Sequence, residues 1–290
     1  LVQFCERGRF SPQAARVNLV VRMRLYVRDA DTGEKIRGPE SFFTVWLDDF
    51  VVRPGERWDW PPPSNAGFVE GALEGAPLNR GFEYHYGFYE AFTLYDQVDD
   101  PNVVNRRLEE FSDKHQWRQG RKGTSAIRVN HEVIDEQGYL TDRIAEEAVR
   151  FLEGHASEPF FLCVPFSAPH VPYQAQTRYY DEFAEVEDET VRVYRAMIKN
   201  LDDAVGQITG AIGNLGLERE TLIFFVSDNG GALHTGATNN APLKGGKFTN
   251  FEGGLSIPFM ARWEGVIPEG GSYEHPVSLM DVFATAASTA

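Results

Sequence analysis

Thr221-Leu-Ile-Phe-Phe-Val226 is a short apolar run that leads directly into the polar segment Ser227-Asp228-Asn229-Gly-Gly231. An unbroken apolar run of this length is typical of a strand that is buried on both faces. In open α/β sheets, ligands bind at the carboxyl ends of such strands. This stretch therefore predicts a sheet and also the edge at which a site is built.

Other segments around this run predict the rest of the domain. Phe160–Phe166 is a second short apolar run, and Tyr139–His155 carries apolar residues at helical spacing. The clearest helix covers Tyr194–Ile212, and Gly216 is positioned to end it. Its apolar stripe consists of Tyr194, Ile198, Leu201, Val205, Ile208 and Ile212. This order predicts an α/β fold with a mostly parallel sheet covered by helices, in which the two apolar runs are neighbouring or near-neighbouring parallel strands of one sheet and the stripe packs on that sheet.

The N-terminal part of the chain has a different pattern. Apolar and polar residues alternate between Val17 and Val27, which is typical of a strand with one face in water, and Ser41–Leu47 is a further strand candidate. Trp58–Asn65 contains three consecutive prolines and is interpreted as a linker. We therefore predict a β-rich accessory segment at residues 1–70 and a catalytic-type α/β domain at residues 76–290.

The charge and composition of the chain argue against several classes of protein. The formal net charge is −15, which argues against a nucleic-acid partner, because phosphate binding requires a basic surface. No apolar run approaches the roughly 18 residues of a membrane-spanning helix. Two cysteines cannot build a disulfide framework, and no C-x-x-C pair is present. No secretory leader is visible, and we interpret the sequence as part of a longer protein.

The segment after the first apolar run offers metal ligands. Asp228 and Asn229 supply a carboxylate and an amide oxygen, which are hard ligands suited to Ca²⁺ or Mg²⁺. A polar turn that ends a strand would contain the same residue types, and the sequence leaves that alternative open.

Two further segments carry groups that could bind an anion. His170 follows the second apolar run and stands between Pro169 and Pro172, which restrict the backbone around it. An imidazole there could donate to an anionic oxygen or act as a general acid. Lys247 ends Pro242-Leu-Lys-Gly-Gly-Lys247, whose glycines permit close backbone approach, although the Walker spacing is absent. The alternatives are a loop histidine satisfied by backbone and a solvated lysine.

Taken in this order, the three segments resemble the formylglycine-dependent sulfatases of the alkaline phosphatase superfamily, nearest the arylsulfatase B type. Four more segments share the resemblance, namely Pro77–Phe82, Tyr86–Phe88, Leu201–Gly206 and Thr221–Phe225, and Phe251–Gly254 follows the lysine segment. The resemblance implies a hydrolase of sulfuric esters that acts on aryl sulfates or sulfated glycans outside the cytosol. It implies that Asp228 and Asn229 bind Ca²⁺, that His170 contacts the sulfate and assists the leaving oxygen, and that Lys247 binds a sulfate oxygen.

The nucleophile motif of that family, C-x-P-x-R, whose cysteine becomes formylglycine, is absent from the sequence. Cys163 lacks the arginine, and Cys5 lacks the proline. Asp48-Asp49 imitates the family's first pair of metal-binding aspartates, with an exposed turn as the alternative. We therefore assign no nucleophile and expect little turnover. The remaining alternatives are a non-catalytic homologue, a calcium-dependent carbohydrate-binding remnant, and a phosphoester or phosphonate hydrolase of the same superfamily.

Overall fold

The computed structural model describes residues 2–6, 20–24, 42–46, 76–90, 93–108, 117–118 and 120–289. The strands are β1 (Val2–Glu6), β2 (Val20–Arg24), β3 (Phe42–Trp46), β4 (Tyr84–Gly87), β5 (Val103–Arg106), β6 (Arg128–Val129), β7 (Glu132–Val133), β8 (Phe160–Cys163), β9 (Tyr173–Gln176), β10 (Ile223–Val226) and β11 (Phe259–Arg262). The helices are α1 (Leu140–His155), α2 (Thr177–Asp181), α3 (Glu189–Asn214), α4 (Glu252–Leu255) and α5 (Leu279–Thr289). Short 3-10 turns cover Pro77–Arg80, Gly123–Ser125 and Leu233–Thr235.

The chain divides into two compact units. The first comprises residues 1–8, 76–78 and 82–271, and the second comprises residues 9–75, 79–81 and 272–290. In the described part of the second unit, β2 and β3 form an antiparallel pair in which Val20 lies opposite Trp46. Helix α5 belongs to the same unit. The pairing confirms strands within Val17–Val27 and Ser41–Leu47. Asp48-Asp49 and Trp58–Asn65 lie outside the described residues, and the division into residues 1–70 and 76–290 stays a prediction.

The first unit contains one sheet with the order β7-β6-β4-β1-β8 and two strand pairs, β5–β9 and β10–β11. Every pairing in the described residues is antiparallel. The two apolar runs do form strands, β8 and β10, but in the described residues these strands belong to separate sheets and are not the neighbouring or near-neighbouring parallel strands that we expected. In β8, Phe160 lies opposite Glu6 of β1, so that this N-terminal strand occupies one edge of β8. β10 pairs antiparallel with β11, and the connection between them contains the 3-10 turn Leu233–Thr235 and the short α4.

The long helices α1 and α3 pack against each other and form the main core with strands β4, β5 and β9. Both helices were predicted. The start of α3 at Glu189 follows from Asp188, whose carboxylate accepts hydrogen bonds from the backbone of the first turn. Gly216, at φ 69°, follows the C-terminus as predicted.

The buried face of α3 includes most of the predicted stripe and extends beyond it. Tyr194, Leu201 and Ile208 pack against the main core, and Ile212 is buried in a second cluster. Ile198 of the stripe is 42% exposed, and the fully buried residues Val193, Ala196, Met197 and Ala204 lie outside the stripe.

A second, smaller cluster joins β8 to β10. Leu152 of α1 and Ile212 of α3 are buried there, and Phe160, Leu162 and Ile223 pack against them. Both strands are therefore anchored on the same pair of helices. The loops that follow these two strands carry His170 and Asp228. None of the helices in the described part of the chain combines the length and apolar character that crossing a membrane requires.

Candidate functional site

The loop after β8 holds His170 through its own backbone and through a buried tyrosine. The backbone N–H of His170 donates to the carbonyl of Ser167 at 2.9 Å. The hydroxyl of Tyr95 donates to the carbonyl of His170, also at 2.9 Å. Tyr95 is fully buried, and its backbone N–H donates to Oε1 of Gln174 at 2.7 Å. The histidine is thus supported from the core.

The imidazole of His170 lies between a carbonyl and a lysine. Nδ1 is 2.7 Å from the carbonyl oxygen of Val171, so it carries the proton, and Nε2 is 2.9 Å from Nζ of Lys247. Burial and the Lys247 ammonium lower the pKa of His170 to about 4, against smaller raising effects of Val171 and Asp228, and His234 makes the smallest contribution, which lowers it. At neutral pH the imidazole is therefore uncharged, and the lysine donates to it.

The loop that carries Lys247 is packed backbone against backbone. A Cβ on Gly230 would lie 1.8 Å from the carbonyl oxygen of Gly253, a distance that no side chain tolerates. The N–H of Gly230 donates to the carbonyl of Gly254 at 3.1 Å, and the N–H of Lys247 donates to the carbonyl of Gly231 at 3.0 Å. The loop after β10 and the lysine loop therefore form one closely packed assembly.

Asn240 fastens these two loops through its side-chain amide. Its Oδ1 accepts from the N–H of Gly231 at 3.2 Å. Its Nδ2 donates to the carbonyls of Gly231 at 3.1 Å and Gly245 at 3.0 Å. The Asn240 side chain thus makes three hydrogen bonds, which hold the backbone of the loop after β10 and the backbone of the lysine loop in place.

Asp228 and Asn229 lie on the loop after β10, as the sequence predicted. Asp228 is exposed, and its charge reaches His170. The backbone carbonyl of Asn229 accepts from the hydroxyl of Ser227 at 2.9 Å, which shapes the turn. Their oxygens have the chemistry that Ca²⁺ prefers, but calcium takes six to eight oxygen ligands. Within the described ranges, no group of three His, Cys, Asp or Glu side chains could hold a metal ion. The described donors fit calcium in kind but fall short in number.

Cys163 lies on β8, and burial raises the pKa of its thiol. A protonated thiol is a poor nucleophile. Only the backbone of Cys5, within β1, is described.

Two residues beside the His170–Lys247 pair were missed by the sequence analysis. His234 lies near enough to lower the pKa of His170, and its ring is 5.4 Å from the ring of Phe248. Phe248 directly follows Lys247 and has a positive φ of 73°. The sequence signal that could have identified Phe248 is the presence of an aromatic residue inside a glycine-rich loop. Its unusual backbone conformation could not be predicted.

The sequence matches the family model described as Sulfatase over residues 62–290. N-acetylgalactosamine-6-sulfatase of Mus musculus is 31% identical over 220 residues, which are 74% of this chain and 39% of the mouse protein. Steryl-sulfatase of Rattus norvegicus is 33% identical over 171 residues, which are 56% of this chain and 28% of the rat protein. The crystal structure of Ps i-CgsB in complex with k-i-k-neocarrahexaose has a TM-score of 0.64 at 32% identity, and the match covers 74% of this chain and 47% of that one.

These similarities confirm the predicted α/β class. The chain spans about two-fifths or less of the length of the two curated relatives.

Proposed function

This chain belongs to the sulfatase family, and on that premise we propose that it supplies the anion-binding part of a sulfuric ester hydrolase. The observation that carries the proposal is the 2.9 Å contact between Nζ of Lys247 and Nε2 of His170, beside the strand-end loop of Asp228. An ammonium next to a neutral imidazole provides positive charge and a transferable proton in one place. The overall charge of −15 makes such local positive charge necessary for an anionic substrate.

Lys247 and His170 have complementary roles in the proposed reaction. An ammonium can donate three hydrogen bonds, so its contact with His170 is compatible with binding a sulfate oxygen. In hydrolysis, the oxygen of a water molecule becomes bonded to sulfur as the bond between sulfur and the ester oxygen breaks; the water gives up a proton and the ester oxygen takes one. In the resting site the transferable proton is on Nζ of Lys247, which donates it to Nε2 of His170. Once the proton has moved to Nε2, His170 is the acid that protonates the ester oxygen, while its Nδ1 stays fixed by Val171.

The family generally uses Ca²⁺ and formylglycine. In the proposed site, Asp228 and Asn229 are calcium ligands, and the ion would contribute positive charge near the sulfate. The described residues alone supply too few ligands to complete a calcium shell. No nucleophile is assigned within these 290 residues, since C-x-P-x-R is absent.

We further propose a sulfated glycan or aryl sulfate as the substrate, an extracytoplasmic location, and an accessory role for residues 1–70. Ps i-CgsB, whose structure contains k-i-k-neocarrahexaose, supports the choice of a glycan because it is 32% identical to this chain. The two mammalian relatives are named for sulfated substrates.

Sulfate binding tests the proposal directly. Isothermal titration with sodium sulfate should give measurable binding that Lys247→Met abolishes and Lys244→Met preserves. Lys244 is the matched control because it lies in the same loop, exposed, with Nζ 4.1 Å from the ring of Phe251. Equal binding by the two variants, or no sulfate binding by the unaltered chain, would contradict the proposed function.

A further inference from the structure

Phe248 has two properties that oppose each other energetically. Its φ of 73° lies in the left-handed region, which costs a bulky side chain on the order of 1–3 kcal/mol. Its side chain is nevertheless 58% exposed, so little burial offsets the strain. Glycine would adopt this conformation without cost, and the same loop already contains several glycines. The loop therefore holds a phenylalanine where its backbone favours glycine.

The surroundings of Phe248 connect it to the anion site. Nζ of Lys247 lies 5.5 Å from the centre of its ring and 2.9 Å from Nε2 of His170. The exposed His234 lies beside the same ring at 5.4 Å, tilted by 36°. Two aromatic rings thus border the position at which Lys247 would hold a sulfate.

We propose that Phe248 and His234 form the subsite for the ring that carries the sulfate ester. This inference rests on the proposed function, because it requires a sulfate at Lys247. The apolar face of a pyranose, or the face of an aryl ring, stacks on Phe248 while the sulfate oxygens meet the ammonium. His234 lies beside the ring of Phe248 and offers a ring nitrogen to a hydroxyl of the sugar. The strained backbone keeps the phenyl ring at the edge of the site instead of in the core.

The alternative to a ring-binding role for Phe248 is a purely structural role. Because the positive φ of Phe248 favours glycine, the stability of variants at this position distinguishes the two roles. Phe248→Gly relieves the strain and should leave the fold as stable as before or more stable, by urea denaturation. Phe248→Ala keeps the unfavourable φ and should be less stable than Phe248→Gly. Phe251→Ala is the matched control, since Phe251 is an exposed phenylalanine of the same loop with a normal φ of −85°.

Titration of each protein with sodium sulfate, methyl sulfate, phenyl sulfate and glucose 6-sulfate tests the subsite. The unaltered chain should bind the two ring-bearing esters about three- to tenfold more tightly than methyl sulfate. Phe248→Gly should remove that preference and leave the affinity for sodium sulfate unchanged, whereas Phe251→Ala should keep the preference. If sulfate binds but the preference is absent, or survives in Phe248→Gly, the subsite is wrong and the proposed function stands. If the unaltered chain binds no sulfate, both are overturned.

Discussion

Nζ of Lys247 lies 2.9 Å from Nε2 of His170, although 77 residues separate them in the chain. The contact brings a loop after β8 against a loop after β10, and it works only while the imidazole is neutral. Two positive charges at this distance would repel each other strongly. The ionisation of His170 is therefore coupled to the geometry of the site.

Replacing Lys247 by methionine should raise the pKa of His170 from about 4 toward its ordinary value of 6.5. Burial, the largest cause of the lowered pKa, remains in the variant, so the rise should be partial. An NMR titration of the histidine ring protons measures the change. His85 is an internal control, because burial lowers its pKa to about 4 independently of Lys247. An unchanged pKa for His170 would mean that the two side chains do not interact in solution.

The same pKa predicts a loss of stability in acid. The pKa of His170 in the folded protein is below its ordinary value of 6.5, so the unfolded chain takes up the proton first. The contribution is fully present above about pH 6.5 and is lost as the pH falls toward 4. His85 acts in the same direction over the same range. Urea denaturation between pH 7 and pH 4 should show less steep acid destabilisation in His170→Gln than in the unaltered chain.

Asn240→Ala should loosen the lysine loop. It removes three hydrogen bonds to backbone groups of Gly231 and Gly245, which should cost about 1–3 kcal/mol of unfolding free energy. Sulfate affinity should fall with it, because Lys247 loses its fixed position. Asn239→Ala is the control, since Asn239 is exposed and its side chain accepts a local hydrogen bond from the N–H of Ala241, two residues away. Sulfate affinity that stays constant in Asn240→Ala would exclude a positioning role.

Gly230→Ala should be severely destabilising, by at least about 3 kcal/mol, because the new Cβ would overlap the carbonyl of Gly253. Gly210→Ala provides the contrast. Gly210 is exposed within α3 with nothing within 4 Å of a new Cβ, so alanine should stabilise the helix by up to about 1 kcal/mol. Thermal unfolding measures whether each variant is less or more stable than the unaltered chain. A mild effect at Gly230 would show that the two loops are less closely packed than described.

Calcium binding by this chain should be weak, with a Kd of about 10⁻⁴–10⁻³ M, because Asp228 and Asn229 provide only part of a shell. Hydrolysis of a chromogenic aryl sulfate should be little faster than in buffer, since no formylglycine precursor is present in these residues. Calorimetry with CaCl₂ and a colorimetric assay measure the two quantities. Tight calcium binding together with rapid turnover would direct attention to Asp48 and Asp49.

Periodicity was sufficient to place the long helices, because helical spacing repeats over many residues in α1 and α3. It did not reveal which strands pair. Phe160–Cys163 has the apolar character of a strand between two parallel neighbours, yet its described partner is β1, a segment more than 150 residues earlier whose composition gives no indication of the contact. Strand pairing depends on distant segments, and a local pattern does not contain that information.

The candidate site was predictable to the extent that it depends on residue type. Asp228, His170 and Lys247 were found because charged and polar groups followed apolar runs or stood among glycines. Phe248 was missed because its backbone conformation, not its identity, sets it apart. Asn240 was missed for a related reason, since an asparagine in a loop has no signature until its three partners are known.

The close approach of Gly230 and Gly253 also determines how the gene for this protein can vary. Every amino-acid replacement at Gly230 adds at least a Cβ, and the carbonyl of Gly253 leaves no space for it. Inherited missense changes at these codons should therefore be purged whatever the chemical character of the new residue. Replacements should instead be tolerated at exposed codons of the same loops, such as that of Lys244.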